Sequence, residues 1–600
     1  MRKWILSSLL LVAPLAAEEL YPVSQLIFKY VKQHPQQIPL SDLNKISVAL
    51  IETPEGYYSP KEKTDQPVTR SIQDLNQSGL HRYSRQALSE IVQSAHQFFE
   101  DQKVHWSYLS ISNNQISLKG KDIRSKDEKD LVVEIAIPTI KSLSVKASPG
   151  SYIQNVQKQK DRIEKSFPLA LADPSTGYPG AYINPDALNN YLYSLNRHPG
   201  KRVDLEIGPT RTPSGVTLDF VITEERPYHF YVSATNNIPK VIHSWQESVG
   251  FLHTQLTGRD DILKLNYSTD TFDSFYTAYA SYEAPLGAHP GTRWSVSGNY
   301  NRFLSAEFGL RPNLFRGTQG IADVEMIGTL YQKNKFFLEG LGILEYRHIH
   351  NREHVFHPSV MKNFIFPSIG LKALELKLER KIIASLQLQS SISSWFWDVK
   401  HNLDALGRRN ISPNWALVQA NVYWSFYLEP LFKKRVERMA SELVVLGQFQ
   451  NAFHYRLIPQ LEGVLGGVST VRGYPQSTVS GDNSYMGSIE YRLHIPQLFK
   501  PRPDAKTKWF GKELRWAPAE PKGRADWDLI LRAFYDIGKT TNNHPVKGER
   551  NYLIEGLGCG VDFVLWSNLV LKFDWGAALK PANGISKGHG QSYFSVVIMY

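Results

Sequence analysis

The chain has 600 residues, 12% of them aromatic, and a single cysteine, Cys559. A lone cysteine excludes an internal disulfide, so a protein of this size depends on its sheets and its packing for stability. The formal net charge of +11 comes from dispersed lysines and arginines, without a basic run of five or more residues. We therefore expect no nucleic-acid partner.

The N-terminus has the order of a secretory signal peptide. Arg2 and Lys3 precede an apolar run that ends in Ala16 and Ala17, and we predict a signal peptide over residues 1–17. The alternative is the buried first helix of a cytosolic protein. No later apolar stretch reaches the ~18 residues that a membrane-spanning helix needs. We therefore expect the mature chain to work outside the cytoplasm without a helical membrane span.

Helical and strand patterns alternate up to about residue 228. Residues 18–37 offer at most one short helix, over 23–31. A longer helix is predicted over 84–101, because Ser84 is a plausible N-cap and apolar residues recur at helical spacing. The members of this apolar stripe are Leu88, Ile91, Val92, Ala95 and Phe99. A strand is predicted at about 104–112.

A continuous strand-like stretch follows over residues 132–145, and Pro138 marks a break between two strands within it. A helix is predicted around 153–163, and a second begins where Asn184 precedes a first-turn proline. The buried stripe of the second helix is Leu188, Tyr191, Leu192 and Leu195. Two more strands are predicted at 202–207 and 216–223.

From about residue 229 apolar and polar residues alternate. The clearest segments are 263–268, 487–493, 529–538 and 569–576. Alternation is expected of a closed sheet with lipid outside and water inside, although a soluble sandwich produces the same pattern. The last strand, 592–600, ends in Tyr600, and a terminal aromatic resembles the ending of bacterial outer-membrane barrels. We therefore predict a membrane all-β fold, a transmembrane antiparallel barrel over residues 229–600.

Two motifs lie in order within the barrel region. The first is Val471, Arg472, Gly473 and Tyr474, followed by Gly481, Asp482 and a strand with Glu490 and Arg492; the second is Phe534, Asp536 and Gly538. They resemble the paired motifs of the POTRA-bearing outer-membrane barrel superfamily, the first on a loop folded into the lumen. The resemblance implies that Arg472 meets Asp536 inside the barrel, with Glu490 and Arg492 as lumen-facing support. The alternation independently turns Asp536 inward.

Further matches indicate a subfamily. Asn196, Pro199, the stretch 208–215 and the glycines Gly556, Gly558 and Gly560 resemble TpsB-type transporters, the haemolysin secretion and activation family. The resemblance covers about residues 130–600. It implies sixteen strands, no cofactor, and a monomer that captures an unfolded TpsA-like exoprotein with periplasmic POTRA domains and exports it through the pore. Outer-membrane lipid and the insertion machinery that reads the C-terminal strand are its other expected partners.

These patterns give a domain layout. It comprises a signal peptide at 1–17, an N-terminal segment at 18–37, an atypical POTRA-like domain at 38–140, a second POTRA domain at 141–228 and the barrel at 229–600. Both domains are expected to be α+β, since the order β-α-α-β-β resembles a POTRA module. A barrel-assembly factor of the same superfamily is the alternative function. A passive porin would have no use for such modules.

The sequence contains little that indicates an enzyme. Lys539 and Thr540 follow Gly538 as in a phosphate-binding loop, but Ala533 occupies the position of the first glycine. Four histidines could hold a metal ion: His348, His350, His354 and His357. Because no cysteine or carboxylate spacing supports a closed site, a solvated loop is the favoured interpretation. We expect no metal and no enzymatic activity.

Overall fold

The computed structural model describes residues 20–62, 65–117, 119–153, 155–210, 215–238, 245–270, 275–304, 315–353, 359–399, 401, 403–432, 436–509, 511–566 and 568–600. The predicted signal peptide, the stretch 211–214, His354 and His357 lie outside these residues. The chain forms two compact units. The first contains the described residues up to Lys146 with Phe167–Asn189 and Asp204–Val221, and the second contains Ala147–Ser166, Asn190–Val203 and Ile222–Tyr600.

Helices occur mainly before the barrel: α1 (Leu40–Leu43), α2 (Ile72–Gln77), α3 (Arg85–Asp101), α4 (Val156–Ser166), α5 (Pro185–Leu195) and, later, α6 (Glu429–Phe432). The strands of this region are β1 (Tyr21–Val23), β2 (Gln25–Tyr30), β3 (Ser47–Thr53), β4 (Gly56–Tyr58), β5 (Val68–Ser71), β6 (His81–Tyr83), β7 (Tyr108–Ile111), β8 (Asp130–Ala136), β9 (Thr139–Ala147), β10 (Lys201–Pro209) and β11 (Gly215–Glu224). Their sheets have the orders β1-β6-β4-β3-β5, β2-β8-β7 and β10-β11-β9. Among the described residues, no helix is both long and apolar enough to cross a membrane.

Helix α3 confirms the helix predicted over residues 84–101. The Ser84 side chain accepts a hydrogen bond from the backbone N–H of Ala87 at 3.0 Å, which satisfies one of the free donors of the first turn. The predicted stripe lies in the core of the first unit, with Leu88, Ile91, Ala95 and Phe99 buried and Val92 packed against them.

The short helix predicted over residues 23–31 is wrong. These residues form the end of β1 and all of β2, whose alternate side chains Leu26, Phe28 and Tyr30 are buried. A period of two is the signature of a strand, and β2 satisfies its backbone by parallel pairing with β8. Since these side chains belong to the core that contains α3, the first domain starts before residue 38.

The strands and helices predicted between residues 104 and 228 are present with shifted ends. Pro138 separates β8 from β9, and Asn184 caps α5 by accepting a hydrogen bond from Ala187 N–H at 3.0 Å. Helix α4 begins three residues after the predicted start at residue 153, and β7 is shorter than the strand predicted at 104–112.

The rest of the chain is mostly strand: β12 (Tyr228–Thr235), β13 (Gln246–His253), β14 (Ile262–Thr269), β15 (Tyr276–Pro285), β16 (Thr292–Leu304), β17 (Phe315–Lys333), β18 (Phe336–Glu353), β19 (Val360–Leu376), β20 (Arg380–Ser390), β21 (Ala416–Tyr427), β22 (Ser441–Asn451), β23 (Gly463–Leu465), β24 (Val479–Gly481), β25 (Asn483–His494), β26 (Lys506–Trp509), β27 (Lys512–Arg515), β28 (Trp527–Thr541), β29 (Tyr552–Leu565), β30 (Leu569–Ala578) and β31 (Gly590–Met599). Short 3₁₀ helices span Ser393–Trp395, Leu403–Leu406, Pro459–Leu461 and Ile495–Leu498. Apart from the hairpins β23–β24 and β26–β27, these strands form one closed antiparallel barrel of sixteen. The predicted barrel is confirmed, and β31 closes it by pairing with β12.

The two faces of the barrel wall differ as the alternation predicts. On β30 the outward Phe573 and Trp575 are each 45% exposed, whereas the inward Asp574 is 2% exposed. On β28, Leu531, Tyr535 and Ile537 are likewise exposed outward. A soluble sandwich would bury its apolar faces against each other, but here the apolar face is the uncovered one. This is the arrangement of a barrel surrounded by lipid.

The ends of the barrel are named by the chain direction. The end at which β12 begins is called the proximal end. Because successive strands are antiparallel, the connections after β20, β22 and β28 all lie at the opposite, distal end. They span residues 391–415, 452–482 and 542–551.

A buried ionic cluster occupies the proximal turn between β13 and β14. Lys201 Nζ donates to both oxygens of Asp260 at 2.9 Å, and Arg162 approaches the same carboxylate at 2.9 Å. Burial raises the pKa of Asp260, but these two cations outweigh it and hold the pKa well below its usual range. Burial lowers the pKa of the neighbouring His198 to about 4, against the attraction of Asp260. The cluster fixes the segments around α4 and β10 to this turn.

Candidate functional site

The connection between β22 and β25, residues 452–482, is called the lumen loop. Its hairpin β23–β24 and its predicted motif fold back inside the barrel rather than extending away from it. Val471 and Tyr474 are fully buried. They pack in one apolar cluster with Leu465, Val479, Met486, Ile554, Ala578 and Ala582. The side chains from strands β25, β29 and β30 in this cluster fix the tip of the loop against the inner wall.

The structure brings Arg472 and Asp536 together. Arg472 donates to Asp536 Oδ2 from its backbone N–H at 3.0 Å and from Nε at 2.8 Å, and to Oδ1 from Nη2 at 2.9 Å. Both residues are buried: Arg472 is 4% exposed and Asp536 is 0% exposed. The two parallel side-chain bonds form the fork that arginine makes with a carboxylate, the strongest geometry available to this pair. This arrangement is called the clamp.

Strands β25 and β28 are hydrogen-bonded neighbours, and their register completes the clamp. Ser488 lies opposite Asp536 and Glu490 lies opposite Phe534. Ser488 Oγ donates to Asp536 Oδ1 at 2.6 Å, and Arg472 Nη1 donates to Glu490. The guanidinium carbon of Arg472 lies 3.4 Å from the centre of the Phe534 ring, which adds a cation–π contact. Arginine is thus held by two carboxylates and an aromatic face.

The clamp continues into a chain of charges along the inner wall. Arg492 Nε donates to Glu490 at 2.7 Å. Arg532 approaches Asp562 at 2.6 Å and Asp574 at 3.0 Å. A buried ion pair gains little net free energy because desolvation opposes it, so such networks specify one conformation more than they stabilise the fold. We infer that the part of the network that includes Arg472 specifies one position of the loop.

Glycines on β29 and β30 form the floor beneath the loop tip. A Cβ built on Gly556 would overlap the carbonyl oxygen of Arg472, and one on Gly576 would lie 2.8 Å from the backbone nitrogen of Gly473. A Cβ on Gly538 would lie 2.8 Å from Leu465. Gly473 itself has φ 99°, a backbone conformation that favours glycine. The tip reaches the wall only because side chains are missing at these positions.

Tyrosine hydroxyls fasten the backbone beside the clamp. Tyr593 OH donates to the carbonyl oxygen of Tyr474 at 2.5 Å and accepts from Gly473 N–H at 3.1 Å. Tyr474 OH donates to the carbonyl oxygen of Lys580 at 2.7 Å. The buried phenols therefore satisfy backbone groups of the loop that would otherwise lack partners inside the barrel.

The sequence located part of this site. All nine residues named from the two motifs and their support line the inside of the barrel or the loop tip, and Glu490 bridges Arg472 and Arg492. Ser488, Asp562 and Tyr593 were not predicted as members of the site. Their inward position follows from the alternation, but their partners lie on other strands. The solvated loop predicted for the histidine cluster is wrong for His348 and His350, which lie within β18. His348 Nδ1 lies 2.7 Å from Asn363 Oδ1 on the neighbouring strand. Within the described part of the chain, no group of three or more acidic, histidine or cysteine side chains could hold a metal ion.

Comparisons with known proteins identify the fold. No family model matches the sequence, and no curated relative matches it. CdiB from Escherichia coli matches over 98% of this chain and 93% of its own, with TM-score 0.62 and 13% identity. CdiB from Acinetobacter baumannii matches over 97% and 91%, with TM-score 0.55 and 16% identity. BamA from Haemophilus ducreyi lacking POTRA domains 1–3 gives TM-score 0.48 at 12% identity, over 97% of this chain and 100% of its own.

CdiB is a TpsB transporter of the POTRA-bearing outer-membrane barrel superfamily. The likeness extends over almost the whole of both chains, so it includes the region before the barrel as well as the barrel. That region fits POTRA-like α+β domains. The chain therefore has the fold of the POTRA-bearing outer-membrane β-barrels, with sixteen strands.

Proposed function

We propose that this protein is an outer-membrane transporter of the TpsB type. Its N-terminal α+β domains lie in the periplasm, capture an unfolded exoprotein and pass it to the barrel, which exports it. The observation that carries the proposal is the lumen loop, held by Arg472 on Asp536 inside a barrel with the CdiB fold. A loop held in the lumen by side-chain contacts can be displaced by a passing chain without breaking the backbone pairing of the wall.

Capture needs only backbone pairing. The second domain has a three-stranded sheet whose edge strands are β9 and β10. An extended client can add to such an edge as a further strand, because main-chain hydrogen bonds tolerate any sequence. The inward polar and charged side chains of the barrel then replace bulk water around the client. No nucleotide or metal is required for this route.

The proposal keeps the predicted layout with one change. The second domain ends and the barrel begins at about residue 228, and the first domain reaches back to residue 21 because β1 and β2 share its core. The partners are one TpsA-like exoprotein, outer-membrane lipid and the insertion machinery. The protein acts as a monomer.

Deletion of residues 141–228 tests the proposal against the barrel-assembly alternative. The transporter is expected to lose export of one large exoprotein while the outer-membrane protein profile stays normal. Quantitative proteomics of the culture supernatant, the cell surface and the outer membrane measures both, with the complemented deletion strain as control. A general loss of barrels would favour the assembly factor, and an unchanged set of secreted proteins would contradict export.

A further inference from the structure

The inner wall carries an apolar patch near the distal end. Ile349 on β18, Phe364 and Phe366 on β19 and Leu417 on β21 are nearly inaccessible to solvent, whereas the outward Ile369 is 67% exposed. Inward positions of a water-filled barrel are ordinarily polar. Four large apolar side chains on the inner wall therefore need a cover, because an exposed patch of this kind is costly in water.

The cover is the end of the connection between β20 and β21, residues 403–415, which is called the cap. Leu403, Leu406, Ile411 and Trp415 are buried in one core with the wall patch. Asn351 Nδ2 on β18 donates to the carbonyl oxygen of Leu406 at 3.0 Å. The start of the lumen loop joins the same core with Ala452, Leu457 and Ile458. The cap is thus folded into the mouth of the barrel.

One arginine of the cap reaches the other two distal connections. Arg408 donates to both oxygens of Asp482, at 2.5 and 2.9 Å, and approaches Glu462 at 2.9 Å and Glu549 at 3.1 Å. Asp482 and Glu462 belong to the lumen loop, and Glu549 belongs to the connection between β28 and β29. Since the apolar core begins at β18, the cap and its contacts extend over eight consecutive strands of the sixteen, from β18 to β29.

Asp482, which accepts the hydrogen bonds of Arg408, has other hydrogen-bond donors as well. Asp482 also accepts hydrogen bonds from Leu457 N–H at 2.7 Å and from Asn543 N–H at 2.8 Å. Its carboxylate therefore keeps two backbone donors when the arginine leaves. The contact can break and re-form without unravelling the lumen loop.

We propose that the cap is a gate that closes the distal mouth, and that Arg408 is the positioning residue that latches it to the base of the lumen loop through Asp482. Asp482 directly precedes β25, the strand whose Ser488 and Glu490 hold Arg472. The latch and the clamp are therefore connected through the same strand, β25. The inference rests on the proposed function, because a gate has a role only if a chain passes through the barrel.

Cysteine labelling tests the gate without any client. In a Cys559→Ser background, one reporter is Leu406→Cys, at a buried position of the cap that packs on the wall patch, and the other is Trp395→Cys, which replaces a side chain that is 79% exposed on the same connection. A membrane-impermeant maleimide is applied to intact cells. We expect fast labelling of the Trp395→Cys reporter and slow labelling of the Leu406→Cys reporter. Equal rates would overturn the closed cap.

The latch is tested by adding Arg408→Ala to the Leu406→Cys reporter. Its labelling should rise about 10- to 100-fold, the factor expected when a hydrogen-bonded charge stops opposing a local opening, and single-channel conductance in planar bilayers should rise with it. Arg380→Ala, which removes a cation from the proximal end of β20, is the matched control and should change neither. Arg408→Lys keeps the charge but loses the fork and should give a smaller rise; it replaces Arg408→Ala if that variant fails to insert.

Unchanged labelling in an inserted Arg408 variant would overturn the latch. Neither labelling nor conductance requires an exoprotein. A failed export experiment with a protected reporter would therefore count against the proposed function, whereas normal export with an unprotected reporter would count against the gate.

Discussion

Ser488 and Asp536 face each other across the β25–β28 ladder, and Ser488 Oγ donates to Asp536 Oδ1 at 2.6 Å. This bond orients the carboxylate so that its two oxygens face the guanidinium of Arg472. The serine is therefore part of the clamp although it makes only a 3.3 Å contact with the arginine itself.

Ser488→Ala should weaken the clamp less than loss of a charge does. A hydrogen bond to a charged group contributes roughly 1.5–3 kcal/mol, and Asp536 keeps three bonds from Arg472 in this variant. We expect partly reduced export and a small fall in thermal stability. Ser484→Ala, on the same face of the same strand but without a hydrogen bond to Arg472 or Asp536, is the control. Export as low as in Asp536→Ala would contradict this ranking.

Arg472→Ala and Asp536→Ala should each abolish most export while the barrel still inserts. Arg472→Ala leaves Asp536 without its cation, and Asp536→Ala leaves Arg472 with Glu490 as its one close carboxylate. Removing one partner of a buried ion pair costs roughly 3–5 kcal/mol, but neither variant alters backbone pairing or the lipid face. The double exchange Arg472→Asp with Asp536→Arg should recover part of the export activity, because the two charges can pair again. Recovery should be incomplete, because the planar fork of arginine requires a particular approach to the carboxylate. Secretion is measured beside heat-dependent gel mobility. Harmless single variants would show that the two residues are not coupled.

Gly556→Ala should displace the loop tip, since the added Cβ would overlap the carbonyl oxygen of Arg472. Protease accessibility of the lumen loop should rise and export should fall. Gly342→Ala is the matched control, because no atom lies within 4 Å of a Cβ built there. An unchanged cleavage pattern in the Gly556 variant would mean that the tip does not need the glycine floor.

The buried ionic cluster around Asp260 should become less stable in acid because of His198. The folded state keeps this histidine neutral, with a pKa of about 4, whereas the unfolded state takes up a proton near the ordinary 6.5. The contribution of the neutral His198 to the free energy of unfolding is therefore full above about pH 6.5. Roughly 3 kcal/mol is lost as the pH falls toward 4. Hydrogen exchange of β10 at pH 7.5 and 4.5 measures this. His198→Gln should reduce the difference, whereas the exposed His401→Gln should not.

The mature protein should fractionate with outer membranes and migrate faster on gels unheated than boiled, because a closed barrel resists detergent until it is heated. Soluble fractionation with identical mobility in both states would argue against a membrane barrel. N-terminal sequencing of the protein purified from the membrane fraction would reveal whether residues 1–17, the predicted signal peptide, have been removed.

The sequence by itself determined the faces and the motifs. A period of two assigns Asp536 and Asp574 to the inner face of the wall and Phe573 to the outer face. A slip of one residue in the pairing would exchange these faces. The motif resemblance also selected Arg472 and Asp536 as partners. The same rule, applied to residues 25–30, would have corrected the helix predicted there, since Leu26, Phe28 and Tyr30 alternate.

Only the tertiary structure decided what covers each inward face. Periodicity predicts that Phe366 points into the barrel, but not that Trp415 packs on it or that Arg408 pairs with Asp482. These partners come from separate connections, and their meeting depends on barrel closure, register and the space left by Gly556 and Gly576. Local pattern fixes the direction of a side chain, whereas its contacts depend on parts of the chain far away in sequence.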